Sequence, residues 1–312
     1  MGKEFAVKSE QRWVMSQYSR LYLIADPSLQ SAAALQRASA LAQASGASLH
    51  IVTIFELTTS MRRLDPTDQV QLREHALTQY RNWLEEQAGV LRTKGIQVST
   101  DLICSNDPLE EILTQVAELQ ADMVIKGAQL DSELLRTFVT PLDWYLLKEC
   151  PVPVHLVGAI IHPLPRTVVA AVDMAATEER APGLNERIIH TAQGLALQCN
   201  AELHLLHVCD LGLAHFADVL SLAWATDYAE DLRAAMWSAF SAMADRFSVP
   251  PEHRHFLVGR RVHMVAEFIE LKRADVLVMG RAQRHGLDKV IGSTAEHVLH
   301  QIPTSVLVVG TA

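Results

Sequence analysis

The sequence predicts an α/β protein of two tandem doubly wound domains, each a five-stranded parallel sheet flanked by helices. Short apolar runs alternate along the chain with longer segments of helical periodicity, the pattern of strands and covering helices in a parallel sheet. The same order of segments occurs twice, and the length of 312 residues suits two domains of common size. We therefore expect one domain over residues 1–160 and a second over residues 161–312.

An internal repeat supports this division. Three segments of the first half recur in the second half in the same order. They pair residues 47–50 with 201–204, 121–127 with 274–280, and 150–158 with 301–310. Self-similarity at one long period indicates duplication of a whole folding unit. Pro163 and Pro165 lie between the two copies, where a change of pattern predicts a short linker.

Each predicted element of the first half has its own signal. The strands are near-continuous apolar runs, which fit burial on both faces of a sheet. They cover residues 21–25, 48–55, 97–104, 122–126 and 152–157. Two helical patterns cover residues 31–45 and 68–94. Pro108 and Pro141 begin two further helices, because proline is favoured at the first helical position, and Thr140 is a suitable N-cap for the second of them.

Composition and charge narrow the class of protein. Acidic residues outnumber Lys and Arg by 36 to 27, so the net charge of −9 disfavours generic attraction to nucleic acid or to anionic lipid. No apolar run is long enough to span a membrane, and the first 20 residues contain no signal-peptide core. The four cysteines form no Cys-x-x-Cys pair, which favours reduced thiols. We expect a cytoplasmic protein without nucleic-acid or membrane partners.

The second half contains the outline of a phosphate-binding site. Asp173 follows the predicted first strand of that half, and Gly280 follows another strand. Gly292, Ser293 and Thr294 then open a helix, whose free N–H groups and hydroxyls suit an anion. An ordinary capped helix after a glycine turn is the alternative interpretation. The ends of several strands meet at one edge of a doubly wound sheet, so the combination favours a ligand site.

These residues carry a resemblance to a known family. They are Asp173, His207-Val208, Met279-Gly280, Gly292-Ser293 and the Ala-Glu-His-Val segment at 295–298. With this pattern the chain resembles the universal stress protein family in its tandem-domain form. The segment 140–151 is similar to the first domain of the E-type tandem members.

The resemblance implies roles for individual residues. Asp173 and Val208 would contact adenine or ribose, and the phosphates would lie against Met279, Gly280, Gly292, Ser293 and Thr294. It implies ATP, ADP or AMP as candidate ligands, while domains of this size need no cofactor for their stability. Gln283 replaces the second glycine of the family's loop, and its side chain fills space that close backbone approach requires. Nucleotide binding is therefore expected to be weak.

Charge distinguishes the two halves independently of the resemblance. Arg260, Arg281 and Arg284 lie near predicted strand ends of the second half, together with Arg261. The corresponding loops of the first half are richer in acids. An anion is expected to prefer the second half. The alternative is that these arginines are solvated loop charges.

An apolar segment follows the second strand of the second half. Phe216 lies within residues 211–224, where apolar side chains occur at near-helical spacing. One interpretation is an amphipathic helix packed on its own domain or on the other half of the chain. The other is the wall of an apolar pocket beside the nucleotide position, suited to an acyl chain whose acidic head meets the arginines.

No catalytic or metal-binding constellation accompanies these features. His297 and His300 lack a third ligand, while His253 and His255 are expected to be solvated. We therefore expect a stress-response or regulatory protein that binds a small anionic ligand, an adenine nucleotide or an acyl-type acid, in its second domain. A protein-interaction scaffold and a weak ATP hydrolase are the alternatives. The two halves are expected to pair within the chain, while a homo-oligomer or a protein partner is left open.

Overall fold

The fold is described from a computed structural model. It describes residues 18–27, 33–56, 63, 65–105, 107–131, 136–158, 160–175, 181–210, 222–281, 297–299, 302 and 304–310. The chain divides into two compact units, with the main division between Leu164 and Pro165. None of the helices in the described ranges has the length and apolar character needed to cross a membrane.

The first unit is a five-stranded parallel sheet covered by helices. Its strands are β1 (Arg20–Ile24), β2 (Ser48–Ile54), β3 (Val98–Ile103), β4 (Met123–Gly127) and β7 (Val154–Val157), in the order β7-β4-β1-β2-β3. Its helices are α1 (Ala33–Ser45), α2 (Pro66–Thr93), α3 (Pro108–Glu118) and α4 (Pro141–Glu149). Two short strands between β4 and α4, β5 (Gln129–Asp131) and β6 (Arg136–Phe138), form a separate two-stranded sheet, and residues 131–137 are grouped with the second unit.

The second unit repeats this architecture. Its parallel strands are β8 (Thr167–Val172), β9 (Glu202–Cys209), β10 (Arg254–Val258), β11 (Val276–Gly280) and β12 (Ser305–Val309), in the order β10-β9-β8-β11-β12. Its long helices are α5 (Leu184–Cys199), α6 (Leu222–Arg246) and α7 (Arg261–Lys272). A 3-10 turn, Pro251–His253, precedes β10. The predicted fold class is therefore confirmed.

Apolar side chains explain the position of the central strands. All five residues of β12 are buried, as are the first four of β11. Strands that are covered on both faces need apolar residues at consecutive positions. The edge strand β3 instead alternates exposed and less exposed positions because only one of its faces is covered.

An aspartate in the repeated Ala-Asp motif has the same role in both units. The Oδ2 atom of Asp122 accepts hydrogen bonds from the backbone N–H groups of Ser19 and Arg20 at 2.7 and 2.8 Å. The Oδ2 atom of Asp275 accepts from those of Arg166 and Thr167 at 2.8 and 3.0 Å. Each carboxylate thus fixes the start of the first strand against the fourth. Duplication preserved this contact along with the strand order.

The predicted bounds differ from the observed ones mainly at the ends of elements. The strand expected at residues 152–157 begins at Val154, and the helix expected from residue 68 begins at Pro66. Proline explains the first difference, because Pro153 has no N–H to donate to a neighbouring strand. Strands β5 and β6 were not predicted, because segments of three residues each are too short to show a periodic pattern.

Candidate functional site

The candidate site lies at the carboxyl edge of the second sheet. The order of strands reverses between β8 and β11, which are neighbours in the sheet although β9 and β10 come between them in the chain. Doubly wound sheets bind ligands at such a reversal, since the following loops diverge there and leave a crevice. Asp173 directly follows β8, and Gly280 ends β11.

Asp173 is held in place by its backbone, and its carboxylate reaches solvent. The side-chain amide of Asn185 accepts from the Asp173 N–H at 3.0 Å and donates to the Asp173 carbonyl at 2.9 Å. The Oδ1 atom of Asp173 accepts from the N–H of Ala175 at 2.9 Å. Its side chain is nevertheless 44% exposed. The carboxylate is therefore fixed in position and still accessible to a ligand.

Arg261 brings positive charge to this carboxylate. Its Nη1 atom lies 3.6 Å from the Oδ2 atom of Asp173, and its side chain is 37% exposed. The Nε atom is buried and has no hydrogen-bond partner in the described part of the chain. Arg261 is the first residue of α7, which places a cation and free helix N–H groups at the same edge.

A glycine allows the chain to turn from β10 into α7. Gly259 has φ +155°, and its N–H donates to the carbonyl of Cys209 at 3.0 Å. A Cβ at this position would lie 2.9 Å from Cγ of Met264. The turn places Arg260, the N-cap of α7, at an exposed position. Arg260 is thus at the predicted edge.

Val208 and Met279 are buried residues of their strands. Each side chain is 6% exposed. Because these side chains are buried in the sheet, a ligand could contact these two residues only through their backbone N–H and carbonyl groups. Arg281 follows β11, its N–H donates to the carbonyl of Val309 at 2.9 Å, and its guanidinium lies over Gly310.

Gly280 has a packing reason to lack a side chain. A Cβ there would lie 2.7 Å from Cδ2 of Leu184 and 3.0 Å from Cδ1 of Ile188, both buried residues of α5. Sequence reasoning connected this glycine with close approach of a phosphate. Helix packing alone accounts for it, so Gly280 by itself does not indicate a ligand.

Five of the predicted site residues are not placed by the structure. Phe216, Arg284, Gly292, Ser293 and Thr294 lie outside the described residues. The structure therefore brings Asp173 together with Arg261 and places Arg260 and Arg281 at the same edge of the unit. The predicted glycine-rich loop stays a sequence-based prediction.

His207 adds a buried imidazole next to Asp173. Its Nδ1 atom lies 3.1 Å from the carbonyl oxygen of Val172, and its Nε2 atom is buried without a partner in the described ranges. Burial lowers the pKa of His207, against smaller opposing effects of the Val172 carbonyl and Asp173. The lowered pKa favours the neutral form of the ring. In the first unit Thr53 occupies the equivalent position, and its hydroxyl donates to the carbonyl of Ala25 at 2.7 Å.

The equivalent edge of the first unit contains its own buried ion pair. The Nζ atom of Lys126 lies 2.7 Å from the Oδ1 atom of Asp143, with side chains 15% and 0% exposed. The Oδ2 atom accepts from the N–H and the hydroxyl of Thr140, which completes a capping box at the start of α4. A carboxylate of the chain therefore occupies the helix N-terminus that an anion would need.

Lys126 was not selected by sequence reasoning, although a signal existed. The repeated segments place Met279 of the second half where the first half has Lys126. A charged residue at the end of an otherwise apolar strand requires a partner. The difference between Lys126 and Met279 therefore predicts an acidic partner in the first half. Asp143, at the start of the next helix, is the nearest acid at a helix N-terminus.

The expectation that His253 and His255 are solvated is wrong. His255 lies within β10, and its Nε2 atom is 3.1 Å from the Nδ1 atom of His204. The ring of His253 lies 4.6 Å from that of His204. Alternation along β9 correctly separated His204 from His207, but the partners from β10 could not be read from one strand. Within the described ranges, no group of three or more His, Cys, Asp or Glu residues is arranged to hold a metal ion.

All four cysteines are free thiols. Cys150 and Cys209 are buried, and Cys104 is exposed. The sulfur of Cys209 lies 3.4 Å from that of Met236.

The fold and this edge define a tandem doubly wound α/β protein with one accessible and one internally paired strand-end site. The model of the universal stress protein family matches the chain twice, at residues 17–158 and 166–310. The chain belongs to the universal stress protein family. The predicted resemblance is thereby confirmed, including its tandem form.

Curated relatives extend the match over nearly the full chain. The universal stress protein E of Photorhabdus laumondii is 28% identical over 300 residues, covering 95% of this chain and 96% of that protein. Universal stress protein E of Escherichia coli K12 is 27% identical over 299 residues, covering 95% of each. The similarity to E-type tandem members therefore includes both units.

Solved structures support the same fold. A functionally unknown protein of Pseudomonas aeruginosa PAO1 matches with a TM-score of 0.72 at 23% identity, covering 94% of this chain and 93% of that one. A universal stress protein of Archaeoglobus fulgidus DSM 4304 matches with a TM-score of 0.65 at 17% identity, covering 95% of this chain and 100% of that one. At these identities the likeness supports the fold and does not transfer a ligand.

Proposed function

We propose that this chain is a cytoplasmic stress-response or regulatory protein that binds a small anionic ligand in its second domain, residues 161–312. The ligand is an adenine nucleotide or an acyl-type acid. The first domain, residues 1–160, then has a degenerate site and a structural role. The observation that carries the proposal is the contrast between two equivalent strand-end edges of one duplicated fold.

The first edge satisfies its own charges. Asp143 is fully buried, pairs with Lys126 and caps α4, so an incoming anion would have to displace a carboxylate that is already bonded. Displacement would leave a buried charge without a partner, which is strongly unfavourable. The first domain is therefore not expected to bind an anion.

The second edge has accessible groups with hydrogen-bonding capacity left. The Arg261 side chain is more than one third exposed, and the Asp173 carboxylate is similarly exposed. Arg260 and Arg281 add positive charge at the same edge. A ligand with an anionic group and a hydroxyl, as in a nucleotide, would find a cation for the first and an acceptor for the second.

A matched pair of substitutions tests the proposal. Isothermal titration of the intact protein with AMP, ADP, ATP and decanoate gives the reference affinities. Asp173→Ala is expected to weaken nucleotide binding at least about tenfold, the loss from one hydrogen bond to a charged group, while Asp26→Ala at the equivalent position of the first domain leaves it unchanged. Equal losses from both variants contradict assignment to the second domain. Absence of heat with every probe favours the protein-interaction scaffold, and phosphate release from ATP favours the hydrolase.

A further inference from the structure

A cluster of three histidines lies at the opposite end of the second sheet from the candidate site. The Nδ1 atom of His204 is 3.1 Å from the Nε2 atom of His255. The ring of His204 is 5.1 Å from that of His255 and 4.6 Å from that of His253. His204 is 4% exposed. These residues belong to β9, to β10 and to the turn before β10, so the cluster connects three segments of the fold.

Helix α7 packs directly on this cluster. The parallel register pairs His255 with Leu206, which lies on the same face of β9 as His204. The ring of Phe268 from α7 lies 4.6 Å from that of His255. The Nζ atom of Lys272, the last residue of α7, lies 6.0 Å from the centre of the Phe268 ring. The histidines are therefore part of the contact between α7 and the sheet.

The hydrogen bond between the two rings limits how many protons they can hold. One of the two facing nitrogens must carry a hydrogen and the other must accept it. If both rings were protonated, two N–H groups would face each other at 3.1 Å. The hydrogen bond would be lost, and two positively charged rings would lie side by side in a partly buried contact, where they repel each other. At most one of His204 and His255 can be cationic while the contact is intact.

The surrounding charges decide which ring takes the first proton. The Nε2 atom of His204 lies 3.7 Å from the Oε2 atom of Glu202, a side chain that is 70% exposed. Lys272 and the imidazole of His253 oppose a proton on either ring, whereas Glu202 favours a proton on His204 alone. The Arg254–Asp245 pair involves the preceding residue of β10, on the other face of that strand. The first proton therefore goes to His204, and the second is opposed.

We propose that His204 and His255 form an acid-sensitive contact that holds α7 on the second sheet and loosens when both rings are protonated. The first turn of α7 carries Arg261, the partner of Asp173. Loosening of α7 would therefore also disturb the candidate ligand edge. The inference concerns regulation and does not require that the identity of the ligand be known.

The direction of the pKa changes agrees with this proposal. Burial, followed by the effect of His204, lowers the pKa of His255 to about 4, and burial also lowers that of His204. A histidine whose folded-state pKa lies below its unfolded value stabilises the fold fully above the unfolded pKa, near 6.5. That stabilisation is lost as the pH falls from about 6.5 towards 4, because the unfolded chain then binds more protons.

The experiment compares the intact protein with His255→Gln, which retains hydrogen-bonding groups and cannot titrate. Unfolding is measured by thermal denaturation and by denaturant at several pH values. Between pH 7 and pH 5 the unfolding constant of the parent protein is expected to rise about tenfold more than that of the variant, after allowance for partial exposure of the ring. The control is His263→Gln, an exposed histidine of α7 paired with Glu267, which should keep the parent's pH dependence.

Burial also lowers the pKa values of His190 and His207, so they add acid sensitivity to every variant and cancel in the comparison. Parallel pH profiles for the parent and His255→Gln overturn the proposal, as does an equal flattening by His263→Gln. If His255→Gln does not fold, the imidazole resonances of the parent protein are titrated by NMR. The proposal then requires the His255 imidazole to keep the chemical shifts of its neutral form down to about pH 5. A titration midpoint near the ordinary histidine pKa of about 6.5 overturns it.

Discussion

Lys126 Nζ lies 2.7 Å from Oδ1 of Asp143, in a pair whose side chains are 15% and 0% exposed. The same carboxylate closes the capping box with Thr140. One acid thus neutralises the cation at the end of β4 and satisfies the first turn of α4. A bound anion would need a cation and a free helix N-terminus. In the first domain Asp143 already occupies both.

Asp143→Ala is expected to lower the free energy of unfolding of the first domain by about 3–5 kcal/mol. The variant leaves Lys126 charged and nearly buried without its partner, and such losses are of this size. It also removes the acceptor of the Thr140 N–H. Denaturant unfolding followed by tryptophan fluorescence measures the change.

The control for this prediction is Asp173→Ala, at the equivalent edge of the second domain. That carboxylate is 44% exposed and its contact with Arg261 is 3.6 Å, so its ion pair is worth less than about 1 kcal/mol. Adding Lys126→Met to Asp143→Ala removes the unpaired charge and places the methionine of position 279 in the first domain. The double variant should recover part of the loss. No recovery would show that the cap, and not the buried charge, dominates.

Gly280→Ala is expected to destabilise the second domain by about 1–3 kcal/mol, the usual cost of overpacking. The new Cβ would lie 2.7 Å from Cδ2 of Leu184. Truncation of that neighbour in the double variant Gly280→Ala with Leu184→Ala should recover a measurable part of the loss in a double-mutant cycle. Strict additivity of the two losses would contradict the packing explanation. A loss of ligand affinity in Gly280→Ala alone is therefore no evidence of contact with a ligand.

The alternation of strands and helices and the internal repeat were predictable because they depend on patterns along the chain. Buried parallel strands must be apolar at consecutive positions, so β11 and β12 were visible as apolar runs. Asp122 and Asp275 were visible as a repeated motif, although their shared role in fixing the first strand appears only in three dimensions. The short strands β5 and β6 carry too few residues for a periodic signal.

The residues of the candidate site that directly follow a strand could be predicted from the sequence. Asp173 could be selected because it follows an apolar run in a doubly wound sheet. The Lys126–Asp143 and His204–His255 contacts join residues far apart in sequence or on neighbouring strands. Single-chain patterns do not give such distances. For Gly280 the sequence motif suggested a contact with a ligand, but the packing of α5 is enough to explain why this residue is a glycine.

Separated halves are expected to lose stability or to associate when mixed. Duplicated domains joined by a short linker encounter each other at high effective concentration, so even a weak mutual affinity suffices within one chain. Residues 1–160 and 161–312 would be expressed separately and compared with the intact chain by denaturation and by analytical ultracentrifugation of the mixture. Two halves that are each as stable as in the intact chain and show no mutual affinity would refute intramolecular pairing.

The affinity of the second domain for acyl-type acids is expected to depend on the length of the acyl chain. This domain combines arginines with a glycine loop in which Gln283 replaces a glycine. An acyl-type acid could place its head near Arg260, Arg281 and Arg284 and its tail against the apolar segment 211–224. Each buried methylene contributes up to roughly 0.8 kcal/mol, so four or five of them would offset one or two lost phosphate contacts. Affinity should therefore rise by up to roughly fifteenfold for every two methylenes added.

Straight-chain carboxylates of four to twelve carbons would be titrated against the intact protein, with ADP as competitor. Phe216→Asp should abolish the dependence on chain length because it puts a charge against the tail. Arg284→Glu should weaken all chain lengths by a similar factor, since it acts on the shared head group. An affinity that stays constant with chain length, or that neither substitution reduces, would mean that the segment 211–224 packs on its own domain and that the anion site has no apolar extension.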